Sequence, residues 1–445
     1  MTGFALYRFP HEQQVTLVEQ TAGEPEELLS CADLSGRQGF VVAPFAISSE
    51  HPIVLIRPDR VEVFADASLC HLPADWEFEA SKPDVWSLQT GRLEPSNPCF
   101  EACVASGSTS STETYGEDIP NAERRAYGED FRRFHEQLKT GRYRKLVLSR
   151  CAEEPRLGHV GGNVGEDFGG GCDVLTLFQH ACQMYPRLFV ALTYTSKSGL
   201  WLTATPEILL EGEGSRWHTI ALAGTMRLEG EQLQGEGEQV TWSTKNIQEQ
   251  RYVATYIMEC LKHFSDDIRE EGPRTVRAAN LVHLRSDFSF TLLYNIGVGE
   301  LLQALHPTPA VCGLPKGESF RFILNNEHTP RLYYSGFQGP LNFSPVAPHP
   351  SSVAPHPSSV VPHPSSLTRL YVSLRCMQIT PDRYRLYAGG GLLSDSDEEQ
   401  EWQETVAKQE TMRTLLAHKP HRPYEPHEPH EPYEPHKPYE PHRPH

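Results

Sequence analysis

The sequence predicts a large α+β or mixed α/β domain. Strand-like runs occur in clusters, and helical patterns fall between these clusters instead of after each strand, which argues against a doubly wound parallel sheet. The chain has 445 residues, of which 38% are hydrophobic and 9% aromatic, enough for a substantial core. This composition excludes a chain that is disordered throughout.

Strands are predicted from short apolar runs that turn residues separate. In chain order, these runs are QGFVVAPFAI, PIVLIRP and VEVFAD within 38–66, then RKLVLSR (144–150), LFVALTY, GLWLTATP, EILLEGE, RWHTIALAGT, RLYVSLRCMQI (369–379) and YRLYAGG. Helices are predicted from apolar residues at helical spacing. They cover residues 121–140, which end before Gly141, and residues 174–184, 245–264, 297–305, 317–325 and 397–417.

The chain is acidic, with 40 Lys and Arg against 58 Asp and Glu and a net charge of −18. This charge argues against nucleic acid or acidic lipid as a partner and favours a small molecule bound at a local site. No apolar run reaches the roughly 18 residues that span a bilayer, and the first residues do not resemble a signal peptide. We therefore expect a cytoplasmic protein without a membrane partner, as a monomer or a weak homo-oligomer. The ten scattered cysteines indicate buried or free thiols.

Two low-complexity segments interrupt the pattern. Residues 346–366 repeat VAPHPSS, and residues 418–445 repeat three-residue units such as EPH and RPH. Because neither composition builds a core, we expect a tolerated insert and a disordered tail. The histidines of the tail also allow transition-metal binding, which is the alternative interpretation. The predicted organisation is an N-terminal β-rich part over 1–120, a catalytic core over 121–417 that contains the insert, and the tail.

Three charged residues stand out by their position in the chain. Lys145 enters an apolar strand, where burial would favour the neutral amine and make it a base; an exposed lysine at the start of a strand is the alternative. Glu207 follows a proline at a turn between strands, where catalytic groups are often displayed. Arg375 lies inside an apolar run, so that burying it requires an anion.

Two predicted helices carry carboxylates and lysines at helical spacing. The C-terminal helix places Glu401, Glu404 and Lys408 on one face, directly after the glycine run YAGGG. An earlier helix carries Lys245 and Glu249 one turn apart. Both patterns are also typical of solvated salt-bridge helices, and the residues alone leave the two interpretations open.

Several motifs in a fixed order identify a family. The run LHPTPAVCGLPK (305–316), together with ATPEILL, ALAGTMR, YVSLRC, YAGGG and EWQETVAK, resembles the chorismate-utilising enzymes and is most similar to the isochorismate synthases. The resemblance covers roughly residues 120–415, with looser similarity in the N-terminal strands. It implies one large α/β domain in which two mixed β-sheets pack together with helices outside. It also implies an isomerase that uses Mg²⁺ and exchanges the ring hydroxyl of chorismate, a dianion, for water.

The resemblance also implies roles for individual residues. Lys145 would be the general base that activates water, and Glu207 the general acid that protonates the leaving hydroxyl. The implied metal ligands are Glu249 and Glu404, with Glu401 acting through water. The implied substrate-binding residues are Gly224, Thr225, His283, Tyr334, Arg375, Gly389 and Lys408. For His283, a core histidine satisfied by hydrogen bonds is the alternative.

The residue at position 145, the implied general base, distinguishes family members that use water from those that use ammonia. Relatives that aminate chorismate to anthranilate or aminodeoxychorismate generally lack the lysine of the KLVLSR motif, so Lys145 favours water as the nucleophile. Salicylate synthases keep this lysine and go on to eliminate pyruvate, which makes salicylate the main alternative product. We expect a role in menaquinone biosynthesis, with siderophore or salicylate synthesis as the alternative pathway. The alternative outside the enzymes is a scaffold protein that binds metal and has no catalytic activity.

The sequence departs from the family at two positions. Gln250 follows Glu249 where the family usually has histidine, which would loosen the support of the metal. Pro330 precedes Arg331 where an acidic residue is usual. Neither departure implies an inactive protein.

Overall fold

The fold is that of a computed structural model, which describes residues 2–67, 119–156, 174–228, 240–278, 281–294, 296–343 and 367–417. The predicted insert (346–366) and tail (418–445) lie outside these residues. Six cysteines lie within them, and all six are free thiols, as predicted. No helix within the described ranges is long and apolar enough to cross a membrane.

Eighteen strands lie within the described residues. In chain order they are β1 (Gly3–Arg8), β2 (Val15–Gln20), β3 (Glu26–Leu28), β4 (Gly39–Ala43), β5 (Ile53–Ile56), β6 (Arg60–Phe64), β7 (Lys145–Pro155), β8 (Phe189–Thr195), β9 (Gly199–Thr205), β10 (Ile208–Glu213), β11 (Arg216–Arg227), β12 (Arg269–Ala278), β13 (Leu281–Thr291), β14 (Gly313–Leu314), β15 (Phe337–Leu341), β16 (Leu367–Val372), β17 (Cys376–Ile379) and β18 (Arg383–Leu392).

Six α-helices also lie within the described residues. They are α1 (Ile119–Lys139), α2 (Val174–Met184), α3 (Thr244–Leu261), α4 (Val298–Leu305), α5 (Lys316–Asn326) and α6 (Glu398–Ala417). All six predicted helices are confirmed.

The strands form two nine-stranded sheets. The first sheet has the order β14-β7-β18-β17-β9-β8-β1-β2-β6, and the second has the order β12-β13-β11-β10-β16-β15-β4-β5-β3. The predicted class, with two sheets and outer helices, is confirmed. The sheets differ from the mixed ones expected, since the pairings between the described strands are antiparallel. Parallel neighbours need a crossover connection, whereas here β8 returns directly into β9 and β10 into β11.

The two sheets pack face to face through an aromatic layer. The ring of Phe189 in the first sheet stacks on that of Tyr371 in the second, with centroids 4.2 Å apart. Alternate residues of a strand serve opposite faces. In β1, Tyr7 joins this inner layer, whereas Phe4 packs in a cluster with residues of α2 and α6. Residues of α3 and α4 pack on the second sheet in the same way, so that helices cover both outer faces.

The chain passes between the sheets at two neighbouring points. β9 of the first sheet leads through Glu207 into β10 of the second, and β16 of the second leads through Arg375 into β17 of the first. Two backbone hydrogen bonds join these crossings. The amide of Val372 donates to the carbonyl of Glu207 (2.9 Å), and the amide of Ala204 donates to the carbonyl of Arg375 (3.1 Å). The two functional candidates are therefore brought together by backbone geometry.

The prediction of one strand over 369–379 is wrong. β16 ends at Val372, and β17 begins only at Cys376. Arg375, between them, has a φ of 46°, a left-handed conformation that a strand does not accommodate. The apolar residues on both sides are buried in different sheets, which is why the run appears continuous in sequence.

Candidate active site

A cavity lies beside these crossings. Nine of the predicted site residues line it: Glu207, Gly224, Thr225, Glu249, His283, Tyr334, Arg375, Gly389 and Lys408. Lys145 is fully buried and contacts this wall through Glu249. Glu401 and Glu404 line a second cavity, and Thr225 lines both cavities. The fold thus gathers residues from distant parts of the sequence into two adjoining spaces.

The start of β7 buries a lysine against a carboxylate. Lys145 has no exposed surface, which excludes the exposed-lysine alternative. Its Nζ lies 3.0 Å from Oε1 of Glu249 on α3. Burial raises the pKa of Glu249, but the charges of Lys145, Lys408 and Lys245 outweigh this effect and hold that pKa below its ordinary value. The carboxylate is therefore ionised and compensates the buried ammonium.

The glycine run of β18 leaves room for this pair. Gly391 pairs with Val147 of β7. A Cβ added at Gly391 would overlap Oε1 of Glu249 and would lie 2.8 Å from Cε of Lys145. Glycine at this position leaves room for the ion pair, and a larger residue would displace the ends of these two side chains.

Replacing Gly391 with alanine is expected to force Lys145 and Glu249 apart. We expect at least a tenfold loss of turnover, and a loss of about 1–3 kcal/mol in the free energy of unfolding from overpacking. Enzyme assays and denaturant unfolding measure the two effects. Gly317→Ala is the matched control, because the nearest atom to an added Cβ in that helix is 4.0 Å away and alanine favours helix. Wild-type activity in Gly391→Ala would contradict the role of the pair.

Glu207 is a buried carboxyl at the first crossing. It is 3% exposed, and burial raises its pKa to about 8 against the opposing charges of Lys145, Lys408 and Arg375. A carboxyl with this pKa is mostly protonated at neutral pH. Glu207 therefore has the protonation state that a general acid needs.

Arg375 at the second crossing is fixed by two hydrogen bonds. Nη1 donates to the carbonyl of Ala278 (3.1 Å), and Nη2 donates to Nε2 of His283. Burial lowers the pKa of Arg375 to about 10, so it stays charged. An arginine can only donate, so Nε2 of His283 is the acceptor and its Nδ1 carries the proton, which is donated to the carbonyl of Gly224 (3.1 Å).

His283 is thereby held neutral between a cation and a carbonyl. Burial, followed by the charges of Arg375 and Lys408, lowers the pKa of His283 well below its ordinary value. His283 matches both interpretations: it lies in the predicted site, and it is a buried histidine whose two ring nitrogens are hydrogen-bonded. His283 lines the cavity, and its hydrogen bonds orient Arg375.

A bulge in β11 supplies the carbonyl that holds His283. The register of β11 against β13 shifts between Ala223 and Thr225, and Gly224 has a φ of 74°. A Cβ added at Gly224 would lie 3.1 Å from the carbonyl oxygen of Asn246 at the start of α3. Glycine at this position therefore permits both the bulge and the close approach of α3.

The remaining wall is formed by an aromatic pair and a lysine. The rings of Tyr334 and Tyr387 stack with centroids 5.4 Å apart. Nζ of Lys408 donates to the carbonyl of Gly389 (2.8 Å) and lies 2.7 Å from Oε1 of Glu404. These residues add a hydroxyl and a cation to the cavity.

Each of the three predicted metal-binding carboxylates has a lysine partner. The pairs are Glu249 with Lys145, Glu404 with Lys408, and Glu401 with Lys245. Within the described ranges no cluster of three His, Cys, Asp or Glu side chains is arranged to hold a metal ion. Mg²⁺, however, often takes only one or two protein carboxylates and retains water, so two carboxylates are sufficient.

The surroundings of Glu401 fit a nearby cation. This residue is 1% exposed, and its Oε2 is buried without a hydrogen-bond partner. Burial and the charge of Glu404 raise the pKa of Glu401 to about 7, even though Lys245 opposes them. A divalent cation would add to the charge of the lysines and favour the ionised form of both neighbouring carboxylates.

The structure accounts for both departures from the family pattern. Gln250 is fully buried, and its Nε2 donates to Oγ of Ser286 (2.8 Å). Arg331, after Pro330, pairs with Glu327 four residues earlier, with Nε 2.6 Å from Oε2. Sequence reasoning missed this buried pair, because both residues lie after the end of α5 and no helical spacing predicts their contact.

The Arg331 pair supports two walls of the site. Nη2 of Arg331 also donates to the carbonyl of Val147 (2.8 Å), and Nη1 donates to that of Val311 (2.6 Å). Both of these residues line the first cavity. Sequence reasoning also missed Gly391, for which the only signal was its place in the glycine run.

Comparison with known proteins places the chain among chorismate-related sequences. The family model described as chorismate binding enzyme matches residues 100–344 and 366–417. The salicylate biosynthesis isochorismate synthase of Pseudomonas aeruginosa is 27% identical over 285 residues, which are 63% of this chain and 52% of that protein. Isochorismate synthase MenF of Escherichia coli is 31% identical over 218 residues, which are 48% of this chain and 45% of that protein. The chain thus spans about half the length of the curated relatives that it matches.

Two solved structures have a similar fold. The menaquinone-specific isochorismate synthase MenF of Escherichia coli has a TM-score of 0.64 at 21% identity, covering 93% of this chain and 88% of that chain. Anthranilate synthase component I of Streptococcus pneumoniae has a TM-score of 0.54 at 15% identity, covering 93% and 92%. At these identities the likeness shows the fold alone, which proteins of different activity share.

Proposed function

The chain belongs to the family of chorismate-binding enzymes, and we propose that within this family it is an isochorismate synthase. In the proposed reaction, water bonds to one ring carbon of chorismate while the hydroxyl on another ring carbon leaves. The names of the two matched curated relatives support this reaction. It is an isomerisation, because one water enters and one leaves.

The observation that carries the proposal is a protonated carboxyl close to a buried lysine. Glu207 has a pKa of about 8, and Lys145 is the first of the cations that oppose this rise. A carboxyl that holds its proton at neutral pH can protonate a leaving hydroxyl, and an amine can accept a proton from water. The exchange of a hydroxyl requires an acid and a base; Glu207 lines the first cavity, and Lys145 lies behind its wall at Glu249.

The proton transfers balance across these two residues. The unprotonated amine of Lys145 takes a proton from water as the water oxygen bonds to the ring. Glu207 gives its proton to the departing hydroxyl, which leaves as water. Because Lys145 Nζ lies 3.0 Å from Glu249, we propose that this contact opens and that the ammonium of Lys145 gives a proton to solvent water before the amine acts as the base.

The two carboxylates of chorismate need cations, and the cavity supplies them locally. We propose that Arg375 and Tyr334 hold the enolpyruvyl carboxylate, since hydrogen bonds fix the guanidinium in place before the substrate arrives. Lys408 and the backbone near Gly224 and Gly389 complete the pocket. This local supply explains how a chain with a net charge of −18 binds a dianion.

We propose Glu249 and Glu404 as Mg²⁺ ligands, with Glu401 acting through water. When bound, the ion would polarise the ring carboxylate and offset its charge. The unpartnered Oε2 of Glu401 supports this site. At Gly390, the position of an added Cβ lies 3.2 Å from Oε2 of Glu401 and 3.7 Å from Oε1 of Glu404, so the backbone leaves space beside both carboxylates.

We propose menaquinone biosynthesis as the pathway that uses the product. The matched MenF relative supports this choice, since MenF of Escherichia coli is described as a menaquinone-specific isochorismate synthase. The Pseudomonas aeruginosa relative is named for salicylate biosynthesis, which favours the alternative pathway. The cytoplasmic location and the monomeric or weakly associated state stay predictions.

Incubation of the full chain with chorismate and Mg²⁺ tests the proposed activity. We expect isochorismate as the single product by chromatography, and no turnover in the presence of excess EDTA. Salicylate together with pyruvate would contradict the proposal in favour of a salicylate synthase. The absence of any product would contradict an enzymatic function.

A further inference from the structure

Lys245 is a charged residue that the proposed reaction does not use. It lies in the first turn of α3, four residues before Glu249. Its Nζ forms an ion pair with Oε1 of Glu401. The side chain of Lys245 is 20% exposed, whereas that of Glu401 is 1% exposed. A partly exposed lysine therefore neutralises a fully buried carboxylate.

The other two lysines of the carboxylate cluster have their own places in the site. Lys408 lines the first cavity and holds the carbonyl of Gly389. Lys145 is the proposed base. Lys245, in contrast, lines only the second of these two cavities. Its position therefore indicates that Lys245 serves to compensate the negative charge of Glu401.

We propose that Lys245 supplies the positive charge at Glu401 until the metal binds nearby, and that metal binding displaces Lys245 from this carboxylate. The inference rests on the proposed function, because it takes Glu401 and Glu404 as part of the metal site. A lysine and a metal ion beside the same carboxylate repel each other, and both neutralise its charge. Lys245 therefore stabilises the metal-free protein and lowers its affinity for the metal.

The geometry allows Lys245 to leave while Glu401 stays in place. Lys245 lines the second cavity, which gives its long side chain a space into which the ammonium can move. Glu401 is held in the interior, with Oε2 beside Gly390. Without any cation, this carboxylate would be buried and uncompensated, which is costly. If the metal ion replaces the ammonium of Lys245, Glu401 has a cation beside it in both the metal-free and the metal-bound protein.

Calorimetric titration of the full chain with MgCl₂, without chorismate and at pH 8.5 to favour ionised carboxylates, tests the proposal. We expect Lys245→Met, which keeps the apolar stem and removes the charge, to bind Mg²⁺ about tenfold more tightly than the wild type. Lys245→Arg is the matched control, since it keeps the charge, and we expect wild-type affinity. Unchanged or weaker binding in Lys245→Met would overturn the proposal.

Thermal unfolding provides a second measurement if Lys245→Met folds poorly. We expect its unfolding temperature to be lowered in EDTA and to rise more on addition of MgCl₂ than that of the wild type. An equal or smaller rise would overturn the proposal. In the double variant Lys245→Met/Glu401→Gln, we expect the gain in Mg²⁺ affinity to disappear. If this double variant keeps the gain, Lys245 does not act through Glu401, and the proposal fails.

The product assay separates this inference from the proposed function. If the wild type makes isochorismate but Lys245→Met does not bind Mg²⁺ more tightly, only the role of Lys245 is overturned. If Lys245→Met binds Mg²⁺ more tightly but the wild type makes no isochorismate, the role of Lys245 is supported and the proposed reaction is not.

Discussion

Replacement of Lys145 with alanine is expected to lower the rate of isochorismate formation by about 10²–10⁴-fold, because it removes the proposed base. Chorismate binding is expected to change little, since the proposed anchors Arg375, Tyr334 and Lys408 remain. Product assays measure the first effect, and calorimetric titration with chorismate measures the second. A Lys145→Ala variant with wild-type turnover would refute the assignment of the base.

A structural cause of this loss must be distinguished from a chemical one. Removing Lys145 leaves the carboxylate of Glu249 buried without its partner at 3.0 Å, which costs about 3–5 kcal/mol for a typical buried pair. We therefore expect a lower unfolding temperature as well as a lower rate. Added methylamine is expected to restore part of the rate, because a free amine can take the place of the missing base; a misfolded site would not respond. Lys197→Ala, at a side chain that is 39% exposed, is the matched control with wild-type turnover.

Replacement of Glu207 with glutamine is expected to have an effect of similar size, about 10²–10⁴-fold on turnover, because an amide is not an acid of useful strength. Glutamine keeps the shape of the side chain, so we expect the unfolding temperature to change little. Glu318→Gln is the matched control, since the side chain of Glu318 is 46% exposed on α5. Turnover in Glu207→Gln equal to that of this control would exclude Glu207 as the proton donor.

The role of Glu207 as the proton donor also predicts how turnover changes with pH. Burial raises the pKa of Glu207 to about 8, so the carboxyl holds its proton at lower pH and loses it as the pH rises through about 8. Turnover is therefore expected to fall on the alkaline side with a midpoint near that value. The residual rate of Glu207→Gln is not expected to show this fall. If the variant keeps the alkaline fall, the titrating group is a different one.

The helices and the outline of the fold could be predicted from sequence because local patterns decide them. α2 carries buried residues such as Leu177, Phe178 and Ala181 at helical spacing, and the prediction over 174–184 is confirmed. β12 could not be found in the same way. It is an edge strand of the second sheet, and most of its residues are exposed or half-buried. The sequence therefore has no apolar run there that would predict a strand.

The residues of the site could be named from sequence motifs, but their arrangement could not. Arg375 lies in an apolar run, yet the structure places it at a crossing between sheets, where long-range pairing and not local pattern sets its conformation. The ion pair of Lys145 and Glu249 joins β7 to α3, and no spacing in the sequence predicts such a contact. The position of Gly391 against that pair depends on the same packing.

The most direct test of water addition at this site is the reaction in H₂¹⁸O. Chorismate and Mg²⁺ are incubated with the full chain in labelled water, and the product is analysed by mass spectrometry. If water is the nucleophile and the ring hydroxyl leaves, isochorismate carries one ¹⁸O, and Lys145→Ala gives almost none of this labelled product. Unlabelled isochorismate from the wild type would show that the oxygen does not come from water and would contradict the proposed reaction.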